Sequence, residues 1–199
     1  ARAAALLEHR ALVPITPLDA PGERMLRVEV HGGGYRRVQI ACQVRPRRFP
    51  IQHIWLSARK AGLVASEREK IQVEAWRLRE SDERLWFGPF AVPSGGAVST
   101  EYGLRRYYNG KLARNYFHKG VDYAANTGAP VLAPAAGRVV LVGREKLGFP
   151  LHGNCVGLDH GQGVASMLMH LDEIQVKVGA RVRKGERVGT VGETGVATG

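Results

Sequence analysis

The chain has 199 residues, of which 29 are Lys or Arg and 18 are Asp or Glu, so its formal net charge is +11. The 25 glycines, 10 prolines and few aromatic residues favour short strands joined by turns, which predicts a mainly β fold rather than a helical bundle. The charge is +6 up to Gly88 (16 basic minus 10 acidic residues) and +5 beyond it (13 minus 8). A nucleic-acid-binding protein concentrates its basic residues in a stripe with aromatics, so no nucleic-acid partner is predicted. An evenly basic protein suits the anionic polymers of a cell envelope.

The N-terminal part of the chain divides into a tail at 1–19 and a small β-rich N-terminal module at 20–86. Apolar residues alternate at 25–30 and again at 35–42, on either side of a glycine turn, and this pattern predicts a β-hairpin. A further strand is predicted at 51–56. The module therefore resembles a small β-sandwich.

One helix is predicted in the N-terminal module, over 67–79. Ser66 and Glu69 have the spacing of a capping box, in which each side chain bonds the backbone N–H of the other residue. We expect the module to be a spacer or docking unit that takes no part in chemistry. The apolar residues at helical spacing that predict the packed face are Ile71, Ala75 and Leu78.

Residues 87–96 hold two prolines and three glycines and are predicted to be a linker to a second domain at 97–199. The two cysteines, Cys42 and Cys155, fall on different sides of this linker, so neither a disulfide framework nor a cysteine-based zinc site is predicted. Short strands separated by glycine turns fill the second domain. They are predicted at 131–133, 137–142, 154–159, 166–170, 176–178 and 187–191.

His118 and Asp122 are four residues apart, and an even spacing places both side chains on the same side of an extended strand. Imidazole and carboxylate both bind zinc at about 2.0 to 2.2 Å, and catalytic zinc typically has three protein ligands and a water. The pair would supply two of those ligands. Taken alone the spacing is a weak signal, and a surface histidine with a capping aspartate explains it better.

The surroundings of this pair resemble the first metal motif of LytM-type peptidases, peptidase family M23, which is His-x-Gly-x-Asp followed by a hairpin. The similarity covers about 89–199, and its motifs occur in the family's order with short spacers. The matching runs are 98–106 for the opening strand and Gly-x-Arg element, 118–125, 127–131 and 133–137 for the metal motif and its hairpin, and 153–163 and 167–171 for the central hairpin.

The resemblance implies a zinc cofactor, with His118 and Asp122 as metal ligands and His170 as a catalytic residue that orients the water or stabilises the oxyanion. His160 lies on a predicted turn and is expected to be structural. Four further histidines have no partner at ligand spacing and are not expected to take part: His9, His31, His53 and His152.

In the family, the turn at 194–199 is followed by Pro-His-Leu-His, whose second histidine is the third zinc ligand and whose first acts as general base. The printed sequence ends before this motif. We therefore expect a C-terminally incomplete peptidase domain, and a 199-residue form that is inactive or weakly active.

The function implied is a zinc-dependent endopeptidase that hydrolyses peptide cross-links of bacterial peptidoglycan, periplasmic or secreted, associated with the cell envelope and open to an envelope protein partner. The alternative is a non-catalytic LytM-type regulator that activates a cell-wall amidase, but such proteins usually lose the metal ligands that are present here. A third class is a biotinyl or lipoyl carrier, which the hairpin at 176–189 resembles. No lysine there has the context that such a carrier requires.

Overall fold

The computed structural model describes residues 12–30 and 36–197, and its regular structure is mainly β, as predicted. The beginning of the predicted tail and the glycine turn of the predicted hairpin lie outside the described residues. The strands are β1 (Gly22–Val30), β2 (Arg36–Val44), β3 (Ile51–Ile54), β4 (Ala97–Thr100), β5 (Arg105–Tyr108), β6 (Lys111–Leu112), β7 (Asp122–Ala124), β8 (Pro130–Leu132), β9 (Gly137–Gly143), β10 (Asn154–Gly161), β11 (Val164–Ile174), β12 (Arg181–Val182) and β13 (Arg187–Val191). The helices are α1 (Ala58–Ala61), α2 (Glu67–Arg77) and a 3-10 turn at Glu145–Leu147.

A six-stranded antiparallel sheet forms the centre of the molecule, in the order β12-β9-β10-β11-β13-β8. Buried residues of β9 face both sides of the sheet, because its pairing with β10 shifts register: Val139 belongs to the main core, whereas Leu141 belongs to the cluster under α2. The main apolar core consists of Val131, Ala133, Val139, Val156, Leu158, Leu168, Leu171, Val182 and Val188.

The central strand β10 is buried on both faces, from Cys155 to Gly161. Helix α2 covers its second face, where Val73 and Trp76 pack against a cluster that includes Cys155. Gly157 permits this approach, because a β-carbon there would lie 2.7 Å from the Trp76 ring. The helix therefore belongs to the same packed unit as the sheet.

Helix α2 confirms the predicted element to within two residues at its C-terminus, but its predicted packed face is wrong. Ile71 and Leu78 are 66% and 68% exposed. The Ser66 hydroxyl caps the helix by accepting from the N–H of Glu69 at 3.1 Å. Glu69 does not complete the capping box, because its carboxylate is buried in contacts elsewhere. A polar residue on the packed face concealed the true helical period.

Strands β1 and β2 form the predicted hairpin, paired from Gly22–Val44 to Val30–Arg36. Two smaller pairings position the functional region: β3 runs parallel to β5, and β4 runs antiparallel to β7. The predicted strand at 176–178 is wrong, since this segment is an irregular connection. Its ends bond to neighbouring strands individually, from Gln175 N–H to the Val188 carbonyl and from Gly179 N–H to the Val139 carbonyl.

The predicted linker at 87–96 has no regular secondary structure. Contacts nevertheless join its two sides, through the pairing of β3 with β5 and the packing of α2 on the six-stranded sheet. The division into two domains at this point remains a prediction. None of the helices formed by the described residues combines the length and the apolar character that crossing a bilayer requires.

Candidate metal centre

His118 precedes β7 in an irregular segment, not on the extended strand that its spacing to Asp122 predicted. Its backbone N–H donates to the Leu104 carbonyl at 2.9 Å, and its own carbonyl accepts from the Gly103 N–H at 2.8 Å. Nδ1 of the buried ring lies 2.9 Å from the carbonyl oxygen of Glu101. A carbonyl can only accept, so Nδ1 carries a proton, and Nε2 of the neutral ring presents a lone pair.

Asp122 begins β7, and the pairing with β4 places it opposite Thr100. Its Oδ1 lies 3.1 Å from Nε2 of His118, and its Oδ2 accepts from Nη2 of Arg106 at 3.0 Å. Burial raises the pKa of Asp122, but the contacts with His118 and Arg106 together outweigh it and hold this pKa below its usual value. The carboxylate is therefore ionised near neutral pH.

The contact between His118 and Asp122 joins a lone pair to a carboxylate, so a cation has to lie between them, either a second proton on the ring or a metal ion. Two ligand atoms on one tetrahedral zinc lie roughly 3.4 Å apart at ordinary bond lengths, close to the 3.1 Å found here. A carbonyl on the far ring nitrogen is a common outer partner of a metal-bound histidine. These two residues therefore fit zinc.

Over residues 12–30 and 36–197 no group of three or more His, Cys, Asp or Glu side chains could hold a metal ion. The pair His118 and Asp122 would accordingly supply two ligands, one fewer than the three protein ligands typical of catalytic zinc.

His170 lies at a β-bulge in strand β11. The pairing of β10 with β11 shifts register here, so that Cys155 alone faces both Met169 and His170. His170 has φ +59°, a left-handed conformation that is uncommon for residues with a β-carbon. Bulges often occur beside active sites, where they redirect a side chain. The bulge, which strand alternation could not predict, sets the direction of the His170 ring.

The His170 ring is held and kept neutral by its surroundings. Nδ1 lies 2.8 Å from the Thr194 carbonyl oxygen, so this nitrogen donates. Burial lowers the pKa of His170; the charge of Asp122 raises it, and those of His152 and Lys60 lower it further, with a net decrease. The charge of Asp122 thus acts on His170, and Asp122 itself contacts His118, so the three predicted residues lie in one region.

Arg106 holds Asp122 in place, and no sequence pattern predicts this role. Its side chain is only 10% exposed, and its Nε donates to Oε1 of Gln52 at 2.9 Å. Gln52 lies on β3 and donates in turn to the Thr100 hydroxyl at 3.2 Å. The Gly-x-Arg resemblance points to Arg105, which is exposed. The parallel pairing of β3 with β5, which no local pattern reveals, brings Gln52 to Arg106.

The remaining described histidines have distinct roles. His160 is fully buried and bonds the Ala136 carbonyl and the Ser166 hydroxyl, both at 2.8 Å, as expected of a structural histidine. His53 stacks on the Tyr107 ring at 4.8 Å. His152, which had no partner at ligand spacing, contacts Glu69 of the N-terminal module at 2.7 Å. His9 and His31 lie outside the described residues.

Comparisons with known proteins agree with this geometry. Residues 116–199 match the model of peptidase family M23. An uncharacterized metalloprotease of Haemophilus influenzae is 44% identical over 82 residues, which are 41% of this chain and 17% of the relative. The peptidoglycan DD-endopeptidase ShyA of Vibrio cholerae is 34% identical over 113 residues, which are 57% of this chain and 25% of the relative. The chain thus spans a quarter or less of the length of these two relatives.

The similarity in structure extends into the N-terminal module. The crystal structure of a Pseudomonas aeruginosa protein assigned to family M23 superposes with a TM-score of 0.66 and 29% sequence identity. The match covers 94% of this chain and 68% of the other. The elements that precede the family segment therefore have counterparts in that protein.

Proposed function

We propose that the protein is a zinc-dependent endopeptidase of the M23 type that hydrolyses peptide cross-links of peptidoglycan, because residues 116–199 match the model of that family and a metalloprotease is 44% identical over 82 residues. The observation that carries the proposal is the contact of His118 Nε2 with Asp122 Oδ1, which fits two ligands of one zinc ion. The relative ShyA, a peptidoglycan DD-endopeptidase, supports the substrate class. Peptidoglycan as substrate places the protein in the periplasm or outside the cell, at the envelope, where a protein partner has access to it.

Zinc, when bound, supplies a Lewis acid that polarises the scissile carbonyl and makes water nucleophilic near neutral pH. In this chain, the Glu101 carbonyl fixes the His118 ring with Nε2 towards Asp122, where the two residues would hold the metal. Arg106 binds one oxygen of Asp122, keeps the carboxylate ionised and leaves the other oxygen for the metal. These contacts prearrange both ligands before any substrate arrives.

His170 is proposed to orient the attacking water. It is neutral near pH 7 because its pKa is lowered, and its proton resides on Nδ1 in the bond to Thr194. Nε2 is then an acceptor, which suits a water proton rather than an oxyanion. An imidazole acceptor at this place would bind one proton of the attacking water and so orient it.

Residues 1–199 on their own are expected to hold zinc weakly and to cleave slowly. The described residues contribute two protein ligands, and a zinc ion with only two is not fixed in tetrahedral geometry. We therefore expect full activity only when a third protein ligand also binds the zinc ion.

The test is digestion of isolated peptidoglycan sacculi by the full-length protein with zinc, followed by chromatography of the released muropeptides. Loss of cross-linked products is expected for the wild-type protein and not for Asp122→Asn. Asp172→Asn is the matched control, because it makes the same change at an exposed aspartate. Equal cleavage by wild type and Asp122→Asn would refute the metal-site assignment.

The regulatory alternative predicts a different result in the same assay. A non-catalytic activator would leave the sacculi intact alone and would accelerate their digestion when a cell-wall amidase is added, whether or not Asp122 is replaced. The close pairing of His118 with Asp122 favours the enzyme, because an activator has no use for a metal.

A further inference from the structure

Glu69 is a fully buried carboxylate on helix α2, inside the N-terminal module. Its Oε1 accepts from the backbone N–H of His152 at 2.8 Å and from Nδ1 of the same residue at 2.7 Å. Its Oε2 accepts from the N–H of Leu151 at 3.3 Å. One side chain from the N-terminal module thus holds the loop that precedes β10.

Burying a carboxylate is costly unless it is paired and hydrogen-bonded. Among the described residues, the only ion-pair partner of Glu69 is His152. Glu69 also forgoes the capping-box bond that its position on the helix would allow. An apolar residue would pack at this place at lower cost, which indicates that the carboxylate serves the loop rather than the stability of the helix.

The loop held by Glu69 in turn holds His170. The carbonyl of His152 accepts from the backbone N–H of His170 at 3.1 Å, at the bulge. The carbonyl of Leu151 accepts from the N–H of Val196 at 3.0 Å and so fixes the turn that contains Thr194. Thr194 is the residue that orients Nδ1 of the His170 ring. The two hydrogen bonds that orient His170, from its backbone N–H to His152 and from its Nδ1 to Thr194, therefore both depend on the loop that Glu69 binds.

The Glu69 contact also defines the protonation of His152. Both oxygens of Glu69 accept from backbone N–H groups, so Nδ1 of His152 is the donor in the 2.7 Å contact and carries a proton. The His152 side chain remains 22% exposed, whereas Glu69 is completely buried.

We propose that Glu69 is a positioning residue of the active site: through Nδ1 and the backbone of His152 it fixes the loop and turn that aim His170. The kinetic part of this inference rests on the proposed peptidase function, and the structural part does not. It replaces the expectation that the N-terminal module takes no part in chemistry.

Long-range proton–nitrogen NMR of the histidine rings in the full-length protein tests the structural part. At about pH 8.5, where free imidazole is neutral, His152 is expected to carry its proton on Nδ1. In Glu69→Gln the ring resonances of His152 and His170 should both shift. In the matched control Glu67→Gln they should not, because Glu67 lies on the same helical turn with a 74% exposed side chain. A proton on Nε2 alone in the wild-type protein overturns the proposal, whether or not any variant folds.

Kinetics on a soluble cross-linked muropeptide test the consequence for activity. Glu69→Gln should lower kcat by about 10- to 100-fold, the effect of misplacing a reacting group, with KM changed less than about twofold. Glu67→Gln should match the wild type. His152→Asn keeps an N–H in the place of Nδ1 and should retain more activity than His152→Ala. Unchanged kcat in Glu69→Gln would overturn the positioning role; a wild-type protein without peptidase activity would instead refute the proposed function, and the NMR result would stand.

Discussion

The hairpin β1–β2 and the helix α2 both precede the segment that matches the M23 model, yet they differ in how they contact it. The hairpin has two nine-residue strands in continuous register, and most of its side chains are exposed, including Met25, Val38 and Ile40. The helix is short, but it buries Glu69 and packs Trp76 on the central sheet. Regular secondary structure therefore does not show which N-terminal element packs with the central sheet. Contacts with β10 show that the helix does.

The helix and the hairpin should differ most in how much a substitution changes the free energy of unfolding. Trp76→Ala removes a ring that packs on Leu141, Phe149 and Cys155 and should lower the free energy of unfolding by about 2 to 4 kcal/mol. Ile40→Ala, at a site 48% exposed, should change it by less than about 0.5 kcal/mol. Urea unfolding followed by circular dichroism measures both. Equal losses in the two variants would contradict the distinction.

The close approach of the helix gives a second, smaller effect. Gly157→Ala places a β-carbon 2.7 Å from Trp76 and 2.8 Å from the Leu141 side chain, and overpacking of this kind costs about 1 to 3 kcal/mol. Gly95→Ala is the control, because a β-carbon there has no atom within 4 Å. If thermal unfolding shows no difference between the two variants, α2 does not press on β10 as described.

The pH dependence of stability tests the burial of His160 near the end of β10, where this strand and the turn after it bond residues 81–85. Burial lowers the pKa of His160 below its ordinary 6.5, although the Ala136 carbonyl and Asp159 oppose the decrease. Below about pH 6.5, His160 becomes protonated in the unfolded chain but stays neutral to lower pH in the folded chain. The free energy of unfolding therefore falls as the pH drops below about 6.5. Urea titrations should show a shallower fall for His160→Gln. His170 carries a shift of the same sign and is present in both proteins, so an identical slope would contradict the shift at His160.

Cysteine labelling compares the two regions without any substitution. Cys155 lies under α2, and its burial raises the pKa of the thiol to about 12, whereas Cys42 lies partly exposed on β2. The thiolate is the reactive form, so iodoacetamide at about pH 8 should modify Cys42 and spare Cys155 in the folded protein. Mass spectrometry should find both modified in urea. Labelling of Cys155 at the rate of Cys42 in buffer would mean that α2 leaves the sheet readily.

The strands of the central sheet were predictable because each carries its own pattern. Alternation and glycine turns located β9, β10 and β13, the last from Arg187 to Val191 as predicted. The ends of helix α2 followed from the Ser66 cap. The segment 176–178 has the same alternating pattern, but the bonds to neighbouring strands come from the flanking residues Gln175 and Gly179. The local pattern therefore predicted a strand where none forms.

The support of the candidate site was not predictable, because it depends on long-range pairing. Glu69 and His152 are 83 positions apart, and Arg106 and Gln52 are 54 apart. Their side chains meet only after α2 has packed on the sheet and β3 has paired with β5. The bulge at His170 likewise arises from a register shift between two strands rather than from its own sequence. The pair His118 and Asp122 could be predicted from the sequence, because the two residues are only four positions apart and lie in a recognisable motif.

The central claim is that His118 and Asp122 bind one zinc ion together. Titration calorimetry of the full-length, metal-free protein with zinc tests it most directly. One zinc per chain is expected for the wild type and for the control His53→Ala, whose ring stacks on Tyr107 outside the pair. Binding should be lost or weakened at least about 10-fold when either ligand is removed, in His118→Ala and Asp122→Ala. Stoichiometric zinc binding of unchanged affinity in the double variant would contradict the account.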